Sequence, residues 1–292
     1  MDDFGLKYLI KDDAHHLITS LQKYCDITID WSGQNFCGLD IEWNYDKQYV
    51  DISMKHFVIK TLRQLQHIFS SKPQYAPHSW TVPNYGINRQ YAKPADTSPL
   101  LDKSGITRVQ SIVGFFFYYG RAIDNTILVS LNELAASQFA PTDKTNHKIT
   151  MLLDYLSTYP DAKIRYTTSD TILHLDLDAA YLVAPKARSR VAGYFYCGQQ
   201  YNKNIPPSTT LNGPFHIECK TLKHEVASAT EAETAGLFHN CQTAIHIRNI
   251  LTSLDHLQPD TPTKTDNSTA SDFVNDTLKK NVAKYGMSDI TG

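Results

Sequence analysis

Three short stretches place acidic side chains where they could work together. In "ILHLDLDAAY", Leu173, Leu175 and Leu177 alternate with His174, Asp176 and Asp178, so one face of a strand carries acids. A half-exposed strand accounts for that pattern by itself. In "SATEAETAGLFHNC", Ser228 and Glu231 fit S-x-x-E, the signature of a capping box at a helix start. Glu231 also falls in register with Ala235, Phe238, Cys241 and Ile245, which read as the buried stripe, and a carboxylate is unexpected there. In "TKTDNSTA", Asp266 closes a short strand, where Asp-Asn-Ser is good turn chemistry. Each acid has a plain structural explanation singly. Together they stand on a first strand, at the head of a helix and at the end of a neighbouring strand. Unpaired carboxylates that converge need a cation, and an all-oxygen set suits Mg²⁺, which activates water and holds a leaving oxygen in two-metal phosphodiester chemistry.

The elements that would position these acids follow from periodicity. Residues 163–221 read as β-structure ("IRYTT", "TILHLDLDA", "VAGYFYCG", "PFHIECKTL"), followed by a long helix at 228–254, a Pro-bounded strand "PTKTD" and a shorter helix. Strands followed by helix, strand and helix give a layered α/β unit. The first seventy residues read strand, helix, hairpin, helix: "MDDFGLKYLI", then Ala14, Leu17, Ile18 and Leu21 at helical spacing, then "NFCGLDIEW" and "YVDIS", then Met54 to Ile68. Residues 71–106 hold five prolines and read as a linker; residues 107–157 return to helix, with Ile127, Leu128, Leu131 and Leu134 on one face. The fold class is therefore mixed α/β.

Composition narrows the functions. A chain of 292 residues with a hydrophobic fraction of 41% can bury a large core, and a net charge of -2 argues against a stand-alone basic nucleic-acid module. Five cysteines, an odd number without C-x-x-C and with no signal peptide ahead of them, read as free thiols in an intracellular compartment, cytoplasmic or nuclear. No stretch is long enough to span a membrane; "IVGFFFYYG" is the most apolar. His216 with Cys219 is the nearest approach to a zinc pair and reads as packing.

"LDLDAAYLVAPKARSRVAGYFYCG", "ASATEAETAGLFHNC" and "KTDNSTA" together resemble the ribonuclease H domain of copia-type LTR retrotransposon polyproteins. The resemblance implies that Asp178, Glu231 (the first Glu of "TEAE") and Asp266 hold two Mg²⁺ ions, with Mn²⁺ as an alternative, and cleave the RNA strand of an RNA–DNA hybrid. Asp176 is not a family position and is treated as an auxiliary acid; Asp289 lies outside a matching motif and is not assigned as a fourth ligand. "MDDF" is similar to the second half of the reverse-transcriptase Y-x-D-D hairpin, which would make Asp2 and Asp3 palm carboxylates at a tight turn. "FCGLDIEW" is similar to the hairpin that grips the primer terminus, which gives Gly38 and Trp43 a nucleic-acid-binding role on a template-primer.

The resemblance implies three segments: the end of a reverse-transcriptase palm and the start of its thumb (1–70), a linker with helical thumb or connection (71–162), and an RNase H-like domain with a mixed sheet and packed helices (163–292). The upstream polyprotein segments, with the first palm acid, are absent from the sequence, so polymerase activity is not expected from this chain alone. The alternative from another class is a catalytically dead retroelement remnant that at most binds nucleic acid. A metabolic α/β enzyme is disfavoured, because there is no Gly-rich phosphate loop and no G-x-S-x-G.

Overall fold

Two four-stranded sheets and six α-helices make up the described part of the computed structural model, which covers residues 3–79, 96–200 and 211–266. The fold is mixed α/β, and among the described residues no helix is long and apolar enough to cross a membrane. The expected C-terminal helix near "SDFVNDTLKK" lies outside the described residues, as does Asp289.

The first sheet contains β1 (Asn35–Phe36), β2 (Leu39–Asn44), β3 (Tyr49–Ser53) and β4 (Lys163–Thr167), all antiparallel and in that order. Cys37 and Gly38 form the two-residue turn between β1 and β2, with φ of 51° and 76°. Positive φ at both central positions suits the right-handed twist of a tight hairpin, and glycine takes it without strain. So "NFCGLDIEW" is two strands and a turn rather than one strand.

β4 corrects the expected boundary at 163. The β-pattern from 163 onward predicts "IRYTT" as a strand of the C-terminal unit, but β4 pairs with β3 from Tyr49↔Thr167 to Ser53↔Lys163. The reason is electrostatic as well as apolar. Asp51 is buried at 3% exposure, and its carboxylate accepts from Arg165 Nε (2.7 Å), Arg165 Nη2 (2.8 Å) and Lys163 Nζ (3.0 Å). Arg165 also lies over the Tyr49 ring at 3.8 Å. Without β4, Asp51 would be a buried charge lacking partners.

The helices ahead of the second sheet are α1 (Lys11–Leu21), α2 (Phe57–Gln64), α3 (Lys103–Ala122), α4 (Leu128–Ser137) and α5 (Asp143–Thr158). α3 starts inside the expected linker because the Asp102 side chain caps it, accepting from Gly105 N–H at 2.8 Å. α2 to α5 share one core of Val58, Leu62, Ile112, Phe116, Leu131 and Leu152, with Leu39 and Ile52 of the sheet packed on it. The expected break at residue 70 therefore does not divide the packing.

The opening stretch differs from expectation. Residues 3–8 have no strand ladder, and Phe4 and Leu9 are exposed. Asp3 is exposed and its Oδ2 accepts the Cys37 N–H at 2.8 Å, a turn-capping contact; Asp2 lies outside the described residues.

The second sheet runs β7 (Pro214–Thr221), β6 (Arg188–Gly198), β5 (Ile172–Ala184), β8 (Thr263–Lys264). β7, β6 and β5 are antiparallel neighbours, and β8 joins β5 in parallel. α6 (Ala229–Ser253) lies across β5 and β6 over Leu173, Leu175, Leu177 and Phe195. The two sheets are tied by Asn212, which accepts from Thr167 N–H (2.8 Å) and donates to Thr167 O (3.0 Å) and Cys197 O (2.8 Å).

The partners of Asp51 hold its carboxyl near a pKa of about 2, below its ordinary 3.8, with Arg165 as the largest cause. A depressed carboxylate stabilises the fold above the ordinary value and loses that contribution as pH falls through the folded one. Asp51→Asn should therefore cost about 1–3 kcal/mol at pH 7. Urea unfolding of the two chains should converge as pH falls from about 4 towards 2; a deficit that is unchanged at low pH would count against the pairing.

Candidate metal centre

Asp178 sits on β5 and Asp266 follows β8. The parallel register pairs Leu175 with Thr263 and Asp176 with Lys264. Asp178 and Asp266 each lie two residues further on, so the ladder brings them to the same level of neighbouring strands.

The third acid comes from α6. Its N-cap is Ser228, whose Oγ accepts the Glu231 N–H at 3.1 Å, while Glu231 Oε2 accepts the Ala227 N–H at 2.7 Å. Glu231 is thus spent on the helix start. The face turned to the sheet holds Ala232, Glu233, Gly236, Leu237, Asn240 and Ala244. Asn240 fixes that rotation: its Nδ2 donates to Ala192 O on β6 (3.1 Å) and to Gly236 O (2.8 Å). Gly193 makes room for it, since a Cβ there would stand 2.0 Å from Asn240 Oδ1.

The carboxylate that joins Asp178 and Asp266 is therefore Glu233, not Glu231. One oxygen from each of Asp178, Glu233 and Asp266 lies within 4.8 Å of the others, and among the described residues this is the one group of three such side chains close enough to share a cation. Glu231 misled the sequence reading because α6 is apolar on several sides. Phe238 and Ile245, expected to be buried, are 61% and 57% exposed. The small-residue row Ala232, Gly236, Asn240, Ala244 was the signal for the true face, with Glu233 beside it; S-x-x-E was the signal that Glu231 had another job.

Glu233 is only 7% exposed, and its Oε2 is buried with no hydrogen-bond partner. A buried carboxylate oxygen without a donor is costly. Burial first, then the charges of Asp178 and Asp266, push Glu233 up to about 7. Burial and Asp266 push Asp178 up as well. A close group of carboxylates, two of them held above their ordinary values, is suited to accept a divalent cation. Their donors are all hard oxygens, the set that suits a hard divalent cation.

Asp176 stands beside the site on β5, paired across the ladder with Lys264, and is not in the group. Asp3 is not in it either. Gly38 and Trp43 belong to the other sheet. Trp43 is 48% exposed, donates Nε1–H to Gly33 O (2.9 Å), and stacks near-parallel on Tyr45 with centroids 5.9 Å apart. Comparisons of the chain with protein-family models, curated proteins and solved structures found no match.

A carboxyl raised in the folded state costs stability progressively as pH climbs from its ordinary value to the raised one, and the full cost stands above it. In chelator-treated protein, Glu233→Gln should raise stability at pH 8 by about 1–3 kcal/mol and have little effect at pH 5. Thermal unfolding at the two pH values checks this; a variant destabilised equally at both would mean that Glu233 has a structural partner.

Proposed function

We propose that this chain is part of a copia-type retrotransposon reverse transcriptase and ribonuclease H. On this reading it hydrolyses the RNA strand of an RNA–DNA hybrid with the help of magnesium. What carries the reading is Glu233, a buried carboxylate that has one unpartnered oxygen and is grouped with Asp178 and Asp266. The placement of the three acids also agrees with the three sequence motifs, with the second Glu of "TEAE" in place of the first.

The residues divide the work. Asp178 on β5 and Asp266 just past the parallel β8, both exposed, would hold ions from the open side. Glu233 would hold them from beneath, and because it titrates near 7 it would give up its proton readily when a cation arrives at neutral pH. Magnesium bound there supplies water activation and charge stabilisation at the scissile phosphate and leaving oxygen. Asp176 adds negative potential one step along β5. The Trp43–Tyr45 pair offers a flat exposed face on which a base of the template-primer could stack.

The test is cleavage of a labelled hybrid by the purified chain in Mg²⁺, with a gel-shift beside it. Glu233→Gln and Asp178→Asn should each lower cleavage by more than about 100-fold, since even outer-shell partners of a metal cost 10–100-fold. Glu231→Gln should retain cleavage and lose only cap stability of about 1 kcal/mol. Binding without cleavage in the wild-type chain would support the remnant reading instead. Cleavage lost with Glu231 and kept with Glu233→Gln would contradict the assignment.

A further inference from the structure

Asp266 follows a strand too short to hold itself. β8 has two residues and pairs with β5 at two positions, where ordinary strands run to about five or six. Among the described residues, the segment before it supplies further anchors. The Gln258 side chain takes the place of a neighbouring strand: its Oε1 accepts the Leu173 N–H (2.9 Å) and its Nε2 donates to Thr171 O (2.9 Å). Next along, the Leu175 N–H donates to Pro262 O at 3.0 Å. Residues 258–262 thus lie along the β5 edge ahead of the ladder.

That segment is clamped from α6 by one side chain. Arg248 Nη1 donates to Pro259 O and to Thr261 Oγ1 (2.7 Å), and Nη2 donates to Gln258 O (2.9 Å). Three acceptors within four residues meet one planar guanidinium, a geometry that a lysine ammonium cannot reproduce. Arg248 and Glu233 are on the same helix, about 22 Å apart along its axis at 1.5 Å per residue. One helix therefore presents one acid of the group at its start and fixes the approach of another near its end.

We propose that Arg248 is a positioning residue for the acidic site, acting through Asp266. The proposal rests on reading Asp178, Glu233 and Asp266 as a metal site. It assigns the affinity of that site in part to a side chain that touches neither the ion nor its ligands.

The experiment is a double-mutant cycle on Mn²⁺ binding by the full chain, read from the electron paramagnetic resonance signal of free Mn²⁺ up to millimolar metal. Arg248→Met should weaken binding by about tenfold or more, as for other outer-shell partners. In an Asp266→Asn background the same substitution should change the Kd by less than about twofold, because the route through Asp266 is gone. Arg248→Lys should fall between, and it carries the cycle if the Met variant fails to fold. Hydrogen exchange at the Leu173 and Leu175 amides, whose acceptors lie in the clamped segment, should quicken in both Arg248 variants without metal. Unchanged Mn²⁺ affinity in Arg248→Met, or a loss that persists in the Asp266→Asn background, would overturn the proposal. Absence of Mn²⁺ binding by the wild-type chain would instead bring down the metal-site reading, and this proposal with it.

Discussion

Repulsion among Asp178, Glu233 and Asp266 is the constraint around which the second sheet is arranged. With oxygens within 4.8 Å, the ionised side chains repel one another, and solvent around the exposed Asp178 and Asp266 weakens that repulsion without removing it. Left free, the side chains would turn to solvent. They are held together because each rides on an element fixed elsewhere: Asp178 on β5 inside the β6 ladder, Glu233 on a helix locked by Asn240, and Asp266 on a strand tethered through Gln258 and Arg248. Burial first, and the neighbouring acids second, keep Glu233 protonated until about pH 7. A cation would answer the repulsion more completely. That is why geometry and titration point to the same chemistry.

The same economy appears within the first sheet. Asp51 is a buried acid too, but Arg165 and Lys163 neutralise it, and it falls to about 2 instead of rising. Two buried carboxylates in one chain thus move in opposite directions. Asp51 has cations supplied by β4 and ties the first sheet together; the charges beside Glu233 are those of Asp178 and Asp266, the Ala179 backbone offsets them only in part, and one carboxylate oxygen has no partner. The contrast separates a structural acid from one available for chemistry.

Much of this was legible in the sequence. Alternation in "ILHLDLDA", the Ser228 cap and the Pro-bounded "PTKTD" located β5, α6 and β8, and their order put Asp178 and Asp266 side by side. What failed was rotation and partnership. Phe238 and Ile245 are large and apolar yet exposed, so a periodicity reading turned α6 to the wrong face and picked Glu231. The true face is made of small residues whose value lies in close approach to Gly193 and Val191, which hydrophobicity does not register. β4 was given to the wrong sheet because its pairing with β3 spans more than a hundred residues and depends on Asp51, Lys163 and Arg165 meeting. "MDDF" was read as half a hairpin, but among the described residues Phe4 to Tyr8 find no strand to pair with, and local propensity yields to that.

The central claim is that Glu233 shares a cation with Asp178 and Asp266. Side-chain carboxyl NMR of the chain labelled with ¹³C at glutamate tests it most directly. Without metal, one glutamate carboxyl should titrate near 7, and Glu233→Gln should remove it. Saturating Mg²⁺ should drive that carboxyl to its ionised shift well below pH 7. A spectrum in which every glutamate titrates in the ordinary range near 4.3, or in which the high titration persists unmoved in Mg²⁺, would contradict the account.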